Sequence, residues 1–225
     1  MMPLDPETSQ DRSAEQVSKN TELRLDLKLI ADMITSGSRV LDIGCGDGAL
    51  LAYLAREKDV DGRGIEISQD GVNSCVAHGL SVIQGDADTD LANYPDLAFD
   101  YVVLGQTLQA THRPKEVIEQ LVRIGRYAVV SFLNFGHWRT RLSLLVRGRV
   151  PVQTGSSFGW YDSPDIHLCT ILDFVGLCTT LGLTIEKGLS LSGDGTVRTI
   201  RAADHLANLR GDQAIFLLRR KLRRK

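Results

Sequence analysis

Apolar residues at Leu23, Leu25, Leu27, Leu29, Ile30 and Met33 suggest an amphipathic helix, although the alternation of the leucines leaves room for another reading. Ser36-Gly37-Ser38 breaks the pattern, and residues 39–43 then read as a short buried strand running into a glycine-dense turn. Residues 49–58 predict a helix with Leu50, Leu51 and Leu54 on one face. Strands follow at 62–67, 81–84, 99–104 and 127–132, separated by helices at 69–78 and 114–124. Strands alternating with helices predict a parallel sheet covered on both faces. The regularity stops at about residue 134. From there to 167 the chain is rich in aromatic, glycine and arginine residues and follows no simple period. A helix at 171–181, a strand at 183–189, a turn at Ser192-Gly193-Asp194-Gly195 and a last strand at 213–218 complete the pattern.

The expected architecture is one α/β domain, Rossmann-like and seven-stranded, its sheet mostly parallel with helices on both faces. It should occupy residues 21–218, after a disordered polar segment at 1–20 and before a basic tail at 219–225. The length of 225 residues suits one generous domain. A formal charge of −2 gives no global electrostatic case for nucleic acid or an anionic membrane. No apolar stretch approaches the roughly 18 to 20 residues needed to cross a bilayer, and the N-terminus lacks the form of a signal peptide. These features point to a cytoplasmic protein. Cys45, Cys75, Cys169 and Cys178 show neither paired C-x-x-C spacing nor a disulfide framework, so reduced, structural thiols are expected.

The chemistry concentrates in Val40-Leu41-Asp42-Ile43-Gly44-Cys45-Gly46-Asp47-Gly48, a strand entering a glycine turn before a helix. Glycine lets backbone approach a ligand with no Cβ in the way, and the helix N-terminus presents its amides there. A bare G-x-G also occurs in dinucleotide-binding turns. Asp42 argues otherwise: a carboxylate there would repel a pyrophosphate, whereas it suits the cationic aminopropyl part of a sulfonium amino acid. S-adenosylmethionine is therefore the expected ligand. Glu66, ending the second strand about twenty residues later, can accept both ribose hydroxyl protons. Asp86, after the third strand, can accept from the adenine amino group. Either acid alone would more simply be a solvated cap or turn; three at successive strand ends make a site. The expected binding set is Asp42, Gly44, Cys45, Gly46, Glu66, Ile67, Asp86, Ala87 and Gln106. Cys45 reads as a small filler rather than a nucleophile.

The loop Leu41-Asp42-Ile43-Gly44-Cys45-Gly46-Asp47-Gly48 resembles that of the class I S-adenosylmethionine-dependent methyltransferases. Three runs are more specific: Tyr101-Val102-Val103-Leu104-Gly105-Gln106-Thr107-Leu108-Gln109-Ala110, Asn134-Phe135-Gly136-His137-Trp138-Arg139, and the run from Trp160 to Thr170. Through them the chain resembles the MetW family of methionine biosynthesis proteins from about Leu23 to Leu189. Leu133 stands where the family pattern has proline, and Gln84-Gly85 before Asp86 is a looser match. The resemblance implies an accessory role beside a homoserine O-acyltransferase, with S-adenosylmethionine sensed as the end product. The alternative it leaves open is methyl transfer from S-adenosylmethionine to a small molecule.

Methyl transfer needs little beyond proximity and in-line geometry. Leu104-Gly105-Gln106-Thr107 lacks the Asn/Asp-Pro-Pro-aromatic clamp of many amine methyltransferases, which disfavours methylation of DNA or exocyclic amines. His137 and His167 are the candidates for a general base, and the competing reading is that both satisfy loop hydrogen bonds. No pair of ligands has the spacing of a metal site. The aromatic segment around Trp138, Trp160 and Tyr161 suits a lid over the pocket or a protein interface equally well. The terminal Arg/Lys run reads as solvated, with a grip on an acidic partner or on nucleic acid as the alternative.

Overall fold

A computed structural model describes residues 23–149, 163, 166–201 and 204–221. The segment 1–20, Trp160, Tyr161 and residues 222–225 lie outside them. The chain forms α1 (Leu25–Ala31), β1 (Arg39–Ile43), α2 (Ala49–Lys58), β2 (Asp61–Glu66), α3 (Gln69–Ala77) and β3 (Ser81–Gln84). A 3-10 turn at Leu91–Asn93 leads to β4 (Phe99–Gly105), and another at Leu108–Ala110 to α4 (Pro114–Ile124) and β5 (Gly125–Leu133). Then come α5 (Trp138–Arg147), α6 (Ile171–Thr180), β6 (Leu183–Leu191), β7 (Val197–Thr199), α7 (His205–Arg210) and β8 (Gln213–Arg220).

One sheet holds all eight strands in the order β3-β2-β1-β4-β5-β8-β6-β7. The first five are mutually parallel, while β8, β6 and β7 are antiparallel to their neighbours. The count corrects the expected seven: β7 is a three-residue edge strand just past the 192–195 turn, exposed throughout and too short to show a period. The segment read as irregular contains a helix, α5, and a second unforeseen helix, α7, precedes β8. The expected basic tail begins inside β8, where Arg219 pairs with Glu186 at 2.7 Å.

Alternate residues of the central strands bury on opposite faces. Leu41, Val102 and Leu104 pack with Ile118 and Leu121 of α4 and Phe174 of α6. Val40, Tyr101 and Val103 pack with Ile30, Leu50 and Leu54 from the α1–α2 side. Burial on both faces is why these strands read as continuous apolar runs. Phe132, Phe174 and Phe216 close the first face, with Phe132 and Phe174 ring centroids 4.8 Å apart. After β3 the chain returns to place β4 on the other side of β1. The strand order thus reverses beside β1, and its carboxyl end opens a crevice of the kind in which such sheets bind ligands.

No helix among the described residues is long and apolar enough to cross a membrane.

Candidate ligand site at the carboxyl edge of the sheet

The turn after β1 is positioned by β2. The Gly44 and Cys45 N–H groups both donate to the Ile65 carbonyl, at 2.8 and 3.3 Å. Gly44 has φ +71°, and a Cβ there would collide with Thr107 Oγ1, so only glycine lets the turn lie against the loop after β4. Glu66 then bridges the two loops: Oε2 accepts from Gly46 N–H at 2.8 Å and Oε1 from Ser68 N–H at 2.9 Å. Gly71, in the first turn of α3, closes the arrangement from the other side. A Cβ on it would stand 2.7 Å from Glu66 Cγ and 3.0 Å from the Gly46 carbonyl.

Asp42 and Glu66 are both buried at the end of adjacent strands. Burial, and secondarily the charge of Glu66, pushes the Asp42 carboxyl up to about 7. Two acids held together out of water favour a cationic group as neighbour, because a positive charge restores the ionised form of Asp42. The remaining lone pairs of Glu66 are oriented by the two amides and suit hydroxyl donors. Burial first, then Asp42 and Cys75, pushes the Cys45 thiol well above its ordinary range. It stays protonated and fills space against Cys75 and Leu51.

The structure brings Asp42, Gly44, Cys45, Gly46 and Glu66 together. Ile67 is exposed at the rim, its carbonyl accepting from Gln84 Nε2 at 3.1 Å. Asp86 is half-buried, and its Oδ1 accepts from Asp88 N–H at 2.8 Å, so one oxygen serves a turn. Ala87 packs on the core. Gln106 follows β4 in a left-handed conformation, φ 56°, with its N–H donating to the Ser131 carbonyl at 3.0 Å.

Gln106 also leads to residues that sequence reasoning missed. Its Nε2 donates to Asp26 Oδ2 at 2.8 Å, and Arg24 grips both oxygens of that buried carboxylate, with Nη2 at 2.6 Å from Oδ2 and Nε at 3.1 Å from Oδ1. The Asp26 hydrogen bond raises the Arg24 pKa above its ordinary value, and Asp47 of the glycine turn adds to this. The N-terminus of α1 is thereby tied to the loop after β4. An acid in the first helical turn is ordinary, so nothing in the sequence marked Asp26 as a site neighbour.

Of the two histidine candidates, one follows β5 and the other precedes α6. His137 is buried and caps α5, its Nδ1 accepting from Arg139 N–H at 3.4 Å and lying 3.5 Å from Asp212 Oδ1. His167 is exposed, with Nε2 3.3 Å from the His112 carbonyl. Both thus make loop contacts. Among the described residues no cluster of His, Cys, Asp and Glu has the form of a metal site.

Residues 24–218 match the family model for Methionine biosynthesis protein MetW. The chain belongs to the MetW family. Among MetW-bearing relatives, the "Bifunctional methionine biosynthesis protein MetXA/MetW" of Rhodopirellula baltica is 32% identical over 216 residues, covering 92% of this chain and 34% of that protein. An ajmaline N-methyltransferase of Rauvolfia serpentina is 31% identical over 156 residues, 66% of this chain and 53% of that protein. The MetW-family chain therefore spans only about a third to a half of the length of these curated relatives.

Among solved structures, a SAM-dependent methyltransferase of Thermotoga maritima, described as a possible histamine N-methyltransferase, superposes with a TM-score of 0.62. It is 15% identical and is matched over 85% of this chain and 86% of its own. The [4+2]-cyclase SpnF superposes with a TM-score of 0.61 at 18% identity, over 87% and 80% of the two chains. The MetW-family fold is thus that of the class I SAM-dependent methyltransferases. As the cyclase illustrates, that fold does not by itself fix the chemistry.

Proposed function

We propose that this chain is an accessory, regulatory partner of a homoserine O-acyltransferase and holds S-adenosylmethionine as its signal. The observation that carries the partner is the relative that joins MetXA and MetW in one polypeptide. The local chemistry supports the ligand. Asp42 would face the cationic amino-acid end, Glu66 the ribose hydroxyls and Asp86 the adenine amino group. Gly44, Cys45 and Gly46 would supply close backbone, with Ile67, Ala87 and Gln106 at the walls. When bound, S-adenosylmethionine supplies a sulfonium whose charge complements the two buried acids. In the regulatory reading this chain's residues bind and orient it without transferring its methyl group. The setting is cytoplasmic, beside the other enzymes of amino-acid synthesis.

The deciding experiment measures homoserine O-acylation by the cognate acyltransferase, alone and with this chain, while S-adenosylmethionine is titrated. A large rise in rate on mixing, modulated by S-adenosylmethionine, is expected. Unchanged acylation with no complex on size exclusion would overturn the reading.

A second reading, methyl transfer to a small molecule, draws support from a fatty-acid O-methyltransferase of Mycolicibacterium smegmatis, 34% identical over 107 residues, 45% of this chain and 35% of that one. It expects S-adenosylhomocysteine to accumulate when the pure chain meets an acceptor. His137, capping a helix, and His167, at an exposed lip, would be the bases to test.

A further inference from the structure

Helix α5 is built inside out. No residue of it is buried. Its half-buried positions are Thr140 and Ser143, small and polar. Trp138, Leu142, Leu145 and Val146 recur at the i, i+4, i+7, i+8 spacing of one helical face, and that face points to solvent: Leu145 is 83% exposed and Val146 73%. Arg139 and Arg141 flank the stripe and Arg147 ends the helix, which contains no acidic residue. Leu, Val and Trp turned outward over a polar underside cannot be explained by packing within the described chain.

The helix is instead held at its ends. His137 caps the first turn through Arg139 N–H, Arg141 Nε donates to the Gly136 carbonyl at 2.6 Å, and Gly148 ends the helix in the left-handed conformation at φ 62°. The segment leading into it is hydrogen-bonded through one buried side chain. Asn134 Nδ2 donates to the Asn208 and Gly211 carbonyls, and its Oδ1 accepts from the Gly136 and Ile171 N–H groups. A polar scaffold thus presents an apolar stripe, with a tryptophan and arginines of the kinds that dominate interface energies. Apolar anchors at this spacing are also how a helix fills a groove on another protein.

We infer that α5 is the element through which this chain docks on the homoserine O-acyltransferase, in an apolar groove with an acidic rim. The inference rests on the functional reading above. The relative joining MetXA and MetW makes that enzyme the occupant, because the counterpart of this chain works there beside it in one polypeptide. The position also suits a regulator. α5 springs from the carboxyl end of β5, whose Ser131 Oγ accepts at 3.1 Å from the N–H of Gln106, the residue after the neighbouring β4 and beside Thr107, which lies against the glycine turn. A partner on α5 therefore sits on the same edge of the sheet as the ligand crevice.

The test compares the parent chain with Leu145→Glu/Val146→Glu, both exposed positions at which glutamate keeps helix propensity and meets the acidic rim with like charge. Val76→Glu, on the exposed side of α3, serves as the control. Binding to the cognate acyltransferase is measured by sedimentation velocity, and S-adenosylmethionine affinity of each variant by calorimetry. The double variant should bind the acyltransferase about tenfold or more weakly, with Val76→Glu unaffected and S-adenosylmethionine affinity unchanged in both. If parent and double variant bind equally well, the docking site lies elsewhere and only this inference falls. If the parent fails to bind, the functional reading falls and the inference with it. If the parent instead self-associates, or binds vesicles rich in phosphatidylglycerol, and the double variant does not, the stripe serves a second copy or a membrane and the inference is overturned.

Discussion

The carboxylate of Glu66 and the backbone N–H of Gly46 meet across 2.8 Å, so that the end of β2 fixes the conformation of the turn after β1. The second oxygen holds the Ser68 N–H, at the N-cap of α3. One side chain therefore joins two of the loops that border the crevice. A residue proposed to bind ribose is also a structural clamp, and the two roles separate experimentally.

Glu66→Gln keeps the shape but turns an amide NH2 toward one of two N–H donors. The expected cost is about 1–3 kcal/mol in folding stability, from one backbone donor left without an acceptor. The same variant should bind S-adenosylmethionine more weakly. Urea denaturation and calorimetry check the two effects, and an unchanged urea midpoint would remove the clamp.

Gly71→Ala probes the approach of α3 to the turn. Its new methyl group would lie 2.7 Å from Glu66 Cγ and 3.0 Å from a backbone oxygen, neither of which has room to retreat while the clamp holds. Overpacking of this kind costs about 1–3 kcal/mol. Weakened ligand binding should accompany the loss; a variant as stable as the parent would show that the loop gives way freely.

Asp42 makes stability depend on pH. Its folded carboxyl sits at about 7 against an ordinary 3.8, so between these values the folded chain keeps a proton that the unfolded chain releases. This group's contribution to stability therefore declines as pH rises from about 4 to about 7 and is level above that. Asp42→Asn removes the decline. The variant should gain on the parent by up to about 1.4 kcal/mol per pH unit across that window. Urea midpoints at several pH values measure the difference, and a constant difference would refute the assignment. A cationic ligand that needs the ionised form should bind the parent more tightly as pH rises toward 7, a dependence absent in the variant.

Asn134→Ala strips four hydrogen bonds from one buried side chain. The backbone groups of Gly136, Asn208 and Gly211 each lose a partner, while the Ile171 N–H keeps Asn208 Oδ1 at 3.0 Å, and a loss of about 3 kcal/mol is expected. Thermal unfolding reads it. A drop below about 1 kcal/mol would mean that water or rearranged neighbours satisfy these groups.

The sequence by itself determined the parallel half of the fold and where the acids of the candidate site lie along it. β1, its glycine turn and α2 are encoded within twenty residues, by apolar residues on both strand faces, glycines at positive φ and leucines on one helical face. Asp42 is the penultimate residue of β1 and Glu66 the last of its neighbour β2, so locating the strands located the acids. The elements lost to inspection were those whose pattern runs against burial or lies below a period. The apolar residues of α5 face outward between arginines, and β7 is three exposed residues. α7 is only six residues long, although Asp204, whose side chain accepts from Ala207 N–H at 2.8 Å, is a capping signal that local reading could have used.

Only tertiary structure could insert β8 between β5 and β6, or bring Gln106 to Asp26 across eighty positions of sequence. The physical reason is the same in both cases. Backbone propensity and side-chain period are set by neighbours a few residues away, whereas strand order and buried polar partners are chosen by the packing of the whole sheet.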